Sequence, residues 1–186
     1  SDNGTSWTSR TLGSSDNLRS VTYGNNLFVA VGQGGVIFTS TDGTSWTSRT
    51  SGTTNHLYGV TYGNNIYVTV GYNGYILSSS DGTTWTSRTS PTDIKRTAIS
   101  FGNDTFVSVG STGSIITSTD NGTTWDNATS GTTTGKESVS FGNNTFVTGG
   151  GSVSILTSSD NGSSWTSRDS GISSGSIEIQ GMSYKE

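Results

Sequence analysis

Five tryptophans at a fixed spacing constrain this chain more than any other feature. Trp7, Trp46, Trp85, Trp125 and Trp165 are separated by 39, 39, 40 and 40 residues. Each closes one version of a single motif: SDNGTSW (1–7), STDGTSW (40–46), SSDGTTW (79–85), STDNGTTW (118–125) and SSDNGSSW (158–165). A period of this length is the signature of stacked supersecondary units that bury their faces only against one another. Hydrophobic residues make up 27% of the chain, against about 45–50% in an average globular protein. Scattered, they would suggest disorder; placed at a constant period, they specify a thin core repeated unit by unit. The 186 residues fit one domain, residues 1–186, since domains commonly run about 100–200 residues.

Within each period, apolar and small polar residues alternate as they do in strands. The first segment reads LRSVTYG (18–24), LYGVTYG (57–63), RTAISFG (96–102) and ESVSFG (137–142). It is followed by Asn25-Asn26, Asn64-Asn65, Asn103-Asp104 or Asn143-Asn144, residues that tolerate the left-handed backbone of a tight hairpin. A second segment (LFVAVG, IYVTVG, TFVSVG, TFVTGG), a Gly-rich turn, and a third (VIFTS, YILSS, SIITS, SILTS) lead into the Asp-containing turn and a last segment, usually WTSR. Strong helix formers are scarce, with three Ala, six Leu and three Glu, so helical folds are excluded. Four short meandering strands per unit predict an all-β chain, a β-propeller of about five four-stranded antiparallel blades.

The S-x-D-x-G-x-x-W pattern resembles the Asp-box, or BNR, repeat, which in that family sits on the turn between the third and fourth strands of propeller blades. The resemblance runs along essentially the whole chain and implies architecture rather than activity, because Asp-box propellers include sialidases and other glycosidases, sorting receptors, photosystem assembly factors, and carbohydrate-binding or phage surface proteins. The carboxylates of Asp2, Asp42, Asp81, Asp120 and Asp160 are expected to accept backbone N–H groups of their own turns, and Trp7, Trp46, Trp85, Trp125 and Trp165 to wedge between neighbouring blades.

Closure is irregular. From Trp165 through the C-terminus and back to Trp7 is 28 residues, about 12 short of a full period. If IQGMSY (179–184) is a fifth first strand and the N-terminal WTSR a fourth strand, one blade lacks two strands. The favoured expectation is a ring closed by pairing these two segments, with a monomer as the product. A fragment of a longer array and self-association through the incomplete blade stay open, as do a natural and a designed origin for the similar repeats.

A net charge of −4 and nine Lys plus Arg argue against nucleic acid, whose binding needs clustered cations. No Cys and one His exclude thiolate chemistry and disfavour zinc. No cofactor or metal is implied: the Asp-Asn-Gly turns lack the spaced carboxylates of a calcium loop. No run of about 18 apolar residues suggests membrane insertion. Arg10, Arg49, Arg88 and Arg168 fall one per unit on the outer strand, unlike the converging arginines that a sialidase resemblance would require, and no two carboxylates are paired by spacing as a glycosidase needs. The expectation is therefore no enzyme and no catalytic residue.

A binding site in a repeat protein is expected where the repeats disagree. Differences collect before and within the first segment (Asp16, Asn17, Arg19; Asn55, His56, Tyr58; Asp93, Lys95, Arg96; Lys136, Glu137) and in the Gly-rich turns (Gln33; Tyr72, Asn73; Ser111, Thr112; Gly151, Ser152). Both sets emerge at one end of a meander. The second unit is richest: His56, Tyr58, Tyr72, Asn73 and Tyr75 combine rings with side-chain donors, a set suited to stacking on a sugar. The expected function is lectin-like carbohydrate recognition. The alternative is a structural or protein-binding scaffold of an extracellular or phage surface assembly; glycosidase activity ranks last. Glycans or a protein are the expected partners, and the Cys-free, Ser/Thr-rich composition suggests an extracellular or surface setting.

Overall fold

The computed structural model describes residues 4–172 and 178–184; Asp2 lies outside them. Four antiparallel sheets of four strands follow one another along the chain. Blade one comprises β1 (Leu18–Gly24), β2 (Leu27–Gly32), β3 (Ile37–Ser40) and β4 (Thr47–Arg49). Blade two comprises β5 (Leu57–Gly63), β6 (Ile66–Gly71), β7 (Ile76–Ser79) and β8 (Thr86–Arg88). Blade three holds β9 (Arg96–Gly102), β10 (Thr105–Gly110), β11 (Ile115–Ser118) and β12 (Asp126–Ala128), and blade four β13 (Lys136–Gly142), β14 (Thr145–Gly150), β15 (Ile155–Ser158) and β16 (Thr166–Arg168). The order within each sheet is sequential, as in a meander.

The Asn pairs close the first hairpins with positive φ at both positions, for example 48° and 62° at Asn64 and Asn65. This backbone matches the right-handed twist of the flanking strands. Adjacent blades are held by three apolar clusters. Between blades one and two, Val29, Val31 and Ile37 meet Leu57, Val60, Tyr67 and Leu77. The next two junctions repeat the scheme with Val68, Val70 and Ile76 against Ile99, Phe106 and Ile116, then Val107, Val109 and Ile115 against Val139, Phe146 and Leu156. Close approach of the innermost strands requires a glycine at the end of each. A Cβ on Gly24, Gly63 or Gly102 would lie 2.0–2.1 Å from the ring of Tyr62, Phe101 or Phe141 in the following blade.

The Asp-containing turns behave as the sequence suggests. Asp42 Oδ1 accepts from the backbone N–H groups of Thr44 and Ser45 (2.7 and 2.8 Å), and Asp81 Oδ1 from those of Thr83 and Thr84 (2.7 and 2.8 Å). Asp120 accepts from Thr123 and Thr124, and Asp160 from Ser164. The motif serine adds a second lock: Ser40, Ser79, Ser118 and Ser158 each donate to the carboxylate two residues on. Each indole N–H donates to the glycine carbonyl of its own turn, at 2.9–3.2 Å in all five copies.

The tryptophans are not equivalent, which corrects the expectation that all five are wedged. Trp85, Trp125 and Trp165 pack into the three inter-blade clusters. Trp46 is half-buried, as are Trp85 and Trp165, but joins none of these clusters, and Trp7 is 90% exposed. The N-terminal WTSR, expected as a fourth strand, is not one, and no ladder joins it to the C-terminal segment among the described residues.

The fifth position is nevertheless occupied. A Cβ on Gly142 would lie 2.0 Å from the Tyr184 ring, so Tyr184 stands where the other blades place Tyr62, Phe101 and Phe141. Ile179 donates its N–H to the Gly150 carbonyl (3.1 Å). The second-segment valine seen as Val31, Val70 and Val109 is Gly149 in blade four, and a Cβ there would lie 2.7 Å from Ile179 Cγ2. The TFVTGG variant thus makes room for the C-terminal segment, which takes the position of a fifth innermost strand but joins no ladder among the described residues.

Candidate functional site

The innermost strands share an irregularity that strict alternation conceals. β1 pairs Leu18 with Gly32 and then Ser20 with Val31, leaving Arg19 as an extra residue. The same bulge leaves out Tyr58 in β5, Thr97 in β9 and Glu137 in β13. A bulge re-aims a side chain. Here all four, joined by Gln180 at the matching register of the C-terminal segment, line one axial cavity of about 390 Å³ together with Lys95 and Glu178. Five successive repeat positions thus contribute to one chamber.

Its charges are segregated. Arg19 and Lys95 come from blades one and three, and Tyr58 stands between them from blade two; Lys95 Nζ lies 4.6 Å from the Tyr58 ring centroid, within cation–π range. Glu137 and Glu178 come from the next two units along the chain, blade four and the C-terminal segment. The mouth is therefore dipolar. It offers hydrogen-bonding and charged groups, and among the described residues no group of three or more His, Cys, Asp or Glu could hold a metal.

The residues singled out in the second unit are distributed over three places. Tyr58 lines the axial cavity. His56 Nδ1 accepts the Gly34 backbone N–H (2.9 Å), which puts its proton on Nε2 and ties blade two to the Gly-rich turn of blade one; its ring meets Tyr58 edge-on at 6.2 Å. Tyr72 and Asn73 are exposed on the turn after β6, next to His56 through the Tyr72 N–H to His56 carbonyl bond (2.8 Å). Tyr75 points instead into a groove of about 610 Å³ between blades one and two, lined also by Arg49, Ser51, Thr53 and Asn55. Two other variable positions are removed from any surface: Arg96 and Lys136 are fully buried. Arg96 donates to Ser114 and Thr92 hydroxyls while its Nε has no partner, and Lys136 donates to Ser154 Oγ at 2.6 Å. Desolvation holds both cations below their usual pKa range, Arg96 at about 10. The outer-strand arginines serve the blades, each Nε of Arg49, Arg88 and Arg168 donating to a hydroxyl of the third strand (2.7–2.9 Å).

Comparison with known proteins agrees with this architecture. Residues 1–71 match the family model described as the DUF6242 beta propeller domain. Among solved structures, YCF48 bound to D1 peptide superposes with a TM-score of 0.70 at 16% identity, over 93% of this chain and 58% of that one. YCF48 from Cyanidioschyzon merolae gives 0.68 at 19% identity, over 93% and 61%. The chain is a β-propeller. The computationally designed Ika4 protein matches at a TM-score of 0.65 and 16% identity, over 78% of this chain and 92% of its own. At these identities the likeness is one of fold alone, and the chain spans about six-tenths of the length of the YCF48 structures. A search of curated proteins finds none that matches the sequence.

Proposed function

We propose that this propeller is a non-enzymatic binding module whose axial mouth takes an extended, dipolar peptide segment of a protein partner. The observation that carries this reading is the ring of bulge residues: Arg19, Tyr58, Thr97 and Glu137 are each turned out of their ladders toward one cavity, where Lys95 and Glu178 complete a basic and an acidic side. An acidic side chain would be met by Arg19 and Lys95, a basic one by Glu137 and Glu178, and an aromatic or methylene group by Tyr58. That YCF48 has been solved with D1 peptide supports peptide recognition by a propeller of this shape. In this reading the S-x-D-x-G-x-x-W turns are Asp boxes with a structural role, consistent with carboxylates engaged by their own backbone.

Carbohydrate is a second reading, favoured by the polar groove that carries Tyr75, Asn55 and Arg49 beside the turn of Tyr72 and Asn73. One paired experiment separates the two. The chain and its Arg19→Ala/Glu137→Ala variant are panned against a displayed library of random peptides, and the chain and a Tyr75→Ala/Asn55→Ala variant are applied to a glycan array. Enriched dipolar peptides that lose binding to the channel variant are the expected result. Peptides that bind both proteins equally, or glycan hits lost only in the groove variant, would shift the assignment to the groove.

A further inference from the structure

The seam between the C-terminal segment and blade one leaves an inter-blade face uncovered. Leu18, Val21 and Tyr23 are 38%, 60% and 55% exposed, whereas Leu57 and Val60, which match the first two in blade two, are 0% and 6% exposed. Val21 also matches Ile99 and Val139, both buried. The turn glycines report the same gap. A Cβ on Gly82, Gly122 or Gly162 would press on Leu27, Val68 or Val107 in the preceding blade, whereas among the described residues one on Gly43 meets only Phe28 of its own blade, at 3.8 Å.

The three closed junctions show what such a face accepts. Each is covered by the second and third strands of the preceding blade, which present two valines one residue apart and then an isoleucine: Val29, Val31, Ile37; Val68, Val70, Ile76; Val107, Val109, Ile115. At the seam, the C-terminal segment supplies only the innermost position of a preceding blade, and among the described residues no second or third strand stands beside it. We propose that this seam is an acceptor for a β-hairpin donated by a partner protein, with a first strand of Val-x-Val pattern and an isoleucine in the second. The hairpin would cover Leu18, Val21 and Tyr23 as the chain's own hairpins cover their equivalents, adding strands to an existing blade position. This surface is separate from the axial mouth and does not depend on what the mouth binds.

The chain's own hairpin is the probe. A fluorescently labelled peptide of residues 64–79, NNIYVTVGYNGYILSS, is titrated with the full chain and followed by anisotropy, with a control peptide in which Val68 and Val70 are both replaced by lysine. Saturable binding is expected, weakened at least tenfold by Val21→Asp or Tyr23→Asp in the chain and by the lysine control, and unchanged by Arg19→Ala at the axial mouth. Both acceptor substitutions fall on exposed side chains, and circular dichroism checks that each variant keeps the parent fold. Absence of saturable binding, or binding indifferent to Val21→Asp, overturns the proposal. Sedimentation of the chain alone supplies the other test: a concentration-dependent dimer abolished by Val21→Asp would assign the face to a second copy and likewise overturn it.

Discussion

Replacing Arg96 with leucine should stabilise the protein, although it removes a buried side chain with two hydrogen bonds. The repeat itself suggests the change, because the matching positions in blades one and two are Leu18 and Leu57, and Leu57 is fully buried. Arg96 carries its charge into an environment of hydroxyl partners, with Nε unpaired. Its pKa falls from 12.5 to about 10 through desolvation, a destabilisation of roughly 3 kcal/mol at about 1.4 kcal/mol per unit. Against this, the Ser114 and Thr92 hydroxyls lose a partner, at about 1 kcal/mol each where water cannot replace it; both residues are only half-buried, so part of that cost is recovered. The net expectation is a gain of about 1–2 kcal/mol, in line with the general result that apolar replacements of buried charges are often neutral or stabilising. At this chain length the melting temperature should rise by about 2–8 °C. Denaturant unfolding at pH 7, with Arg96→Ala as the cavity control, measures it. A loss of more than about 1 kcal/mol in the leucine variant would refute the reasoning and show that the guanidinium holds the loop around Thr92 more firmly than its desolvation opposes folding.

Other expectations follow from the same geometry. Trp125→Ala should cost about 3–5 kcal/mol as a truncated core aromatic, whereas Trp7→Ala, at a 90% exposed site, should stay within about 0.5 kcal/mol; equal effects in chemical denaturation would contradict the unequal seating of the tryptophans. Gly102→Ala drives a Cβ to 2.1 Å from the Phe141 ring and should destabilise by about 3 kcal/mol. Gly52→Ala, which meets no atom within 4 Å but has a φ of +75°, should cost about 1 kcal/mol, so that thermal melts of the pair separate steric from backbone strain. Hydrogen bonds hold the folded pKa values of Asp81 and Asp160 at about 2, below 3.8: chiefly the Thr84 backbone N–H for Asp81 and the Ser164 hydroxyl for Asp160. Between those values the unfolded chain binds more protons, so stability should be constant above about pH 5 and fall as pH drops toward 2. Urea midpoints across that range check it, and the slope should flatten in Asp81→Asn/Asp160→Asn.

Much of the architecture was legible because each repeat states the same local instructions: paired Asn at the hairpin, alternating valines on the second strand, and an Asp–Gly turn before the tryptophan. Repetition also allowed the C-terminal IQGMSY to be aligned with the first strands; Tyr184 takes the matching position over Gly142, but residues 178–184 form no strand. The seating of the tryptophans was less visible, since the motif recurs in all five copies while its packing into an inter-blade cluster depends on whether a preceding blade exists to receive it. The end that carries the axial cavity was legible as a neighbourhood, but its geometry was hidden by the bulge. Arg19, Tyr58, Thr97 and Glu137 reach the axis only because their strands gain one residue on their partners, and no residue type marks that insertion. Arg96 and Lys136 stand one position before two of those residues and look equally surface-bound in sequence, yet the pleat turns them inward between blades.

The central claim, that the ring of bulge residues forms the binding mouth, is tested most directly by mapping amide and side-chain NMR shifts while a peptide selected on this protein is titrated in. The account predicts saturable changes centred on Arg19, Tyr58, Lys95, Glu137 and Glu178, with the groove around Asn55 and Tyr75 unaffected. Changes confined to that groove, or spread along the outer strands with none at the axial residues, would contradict it.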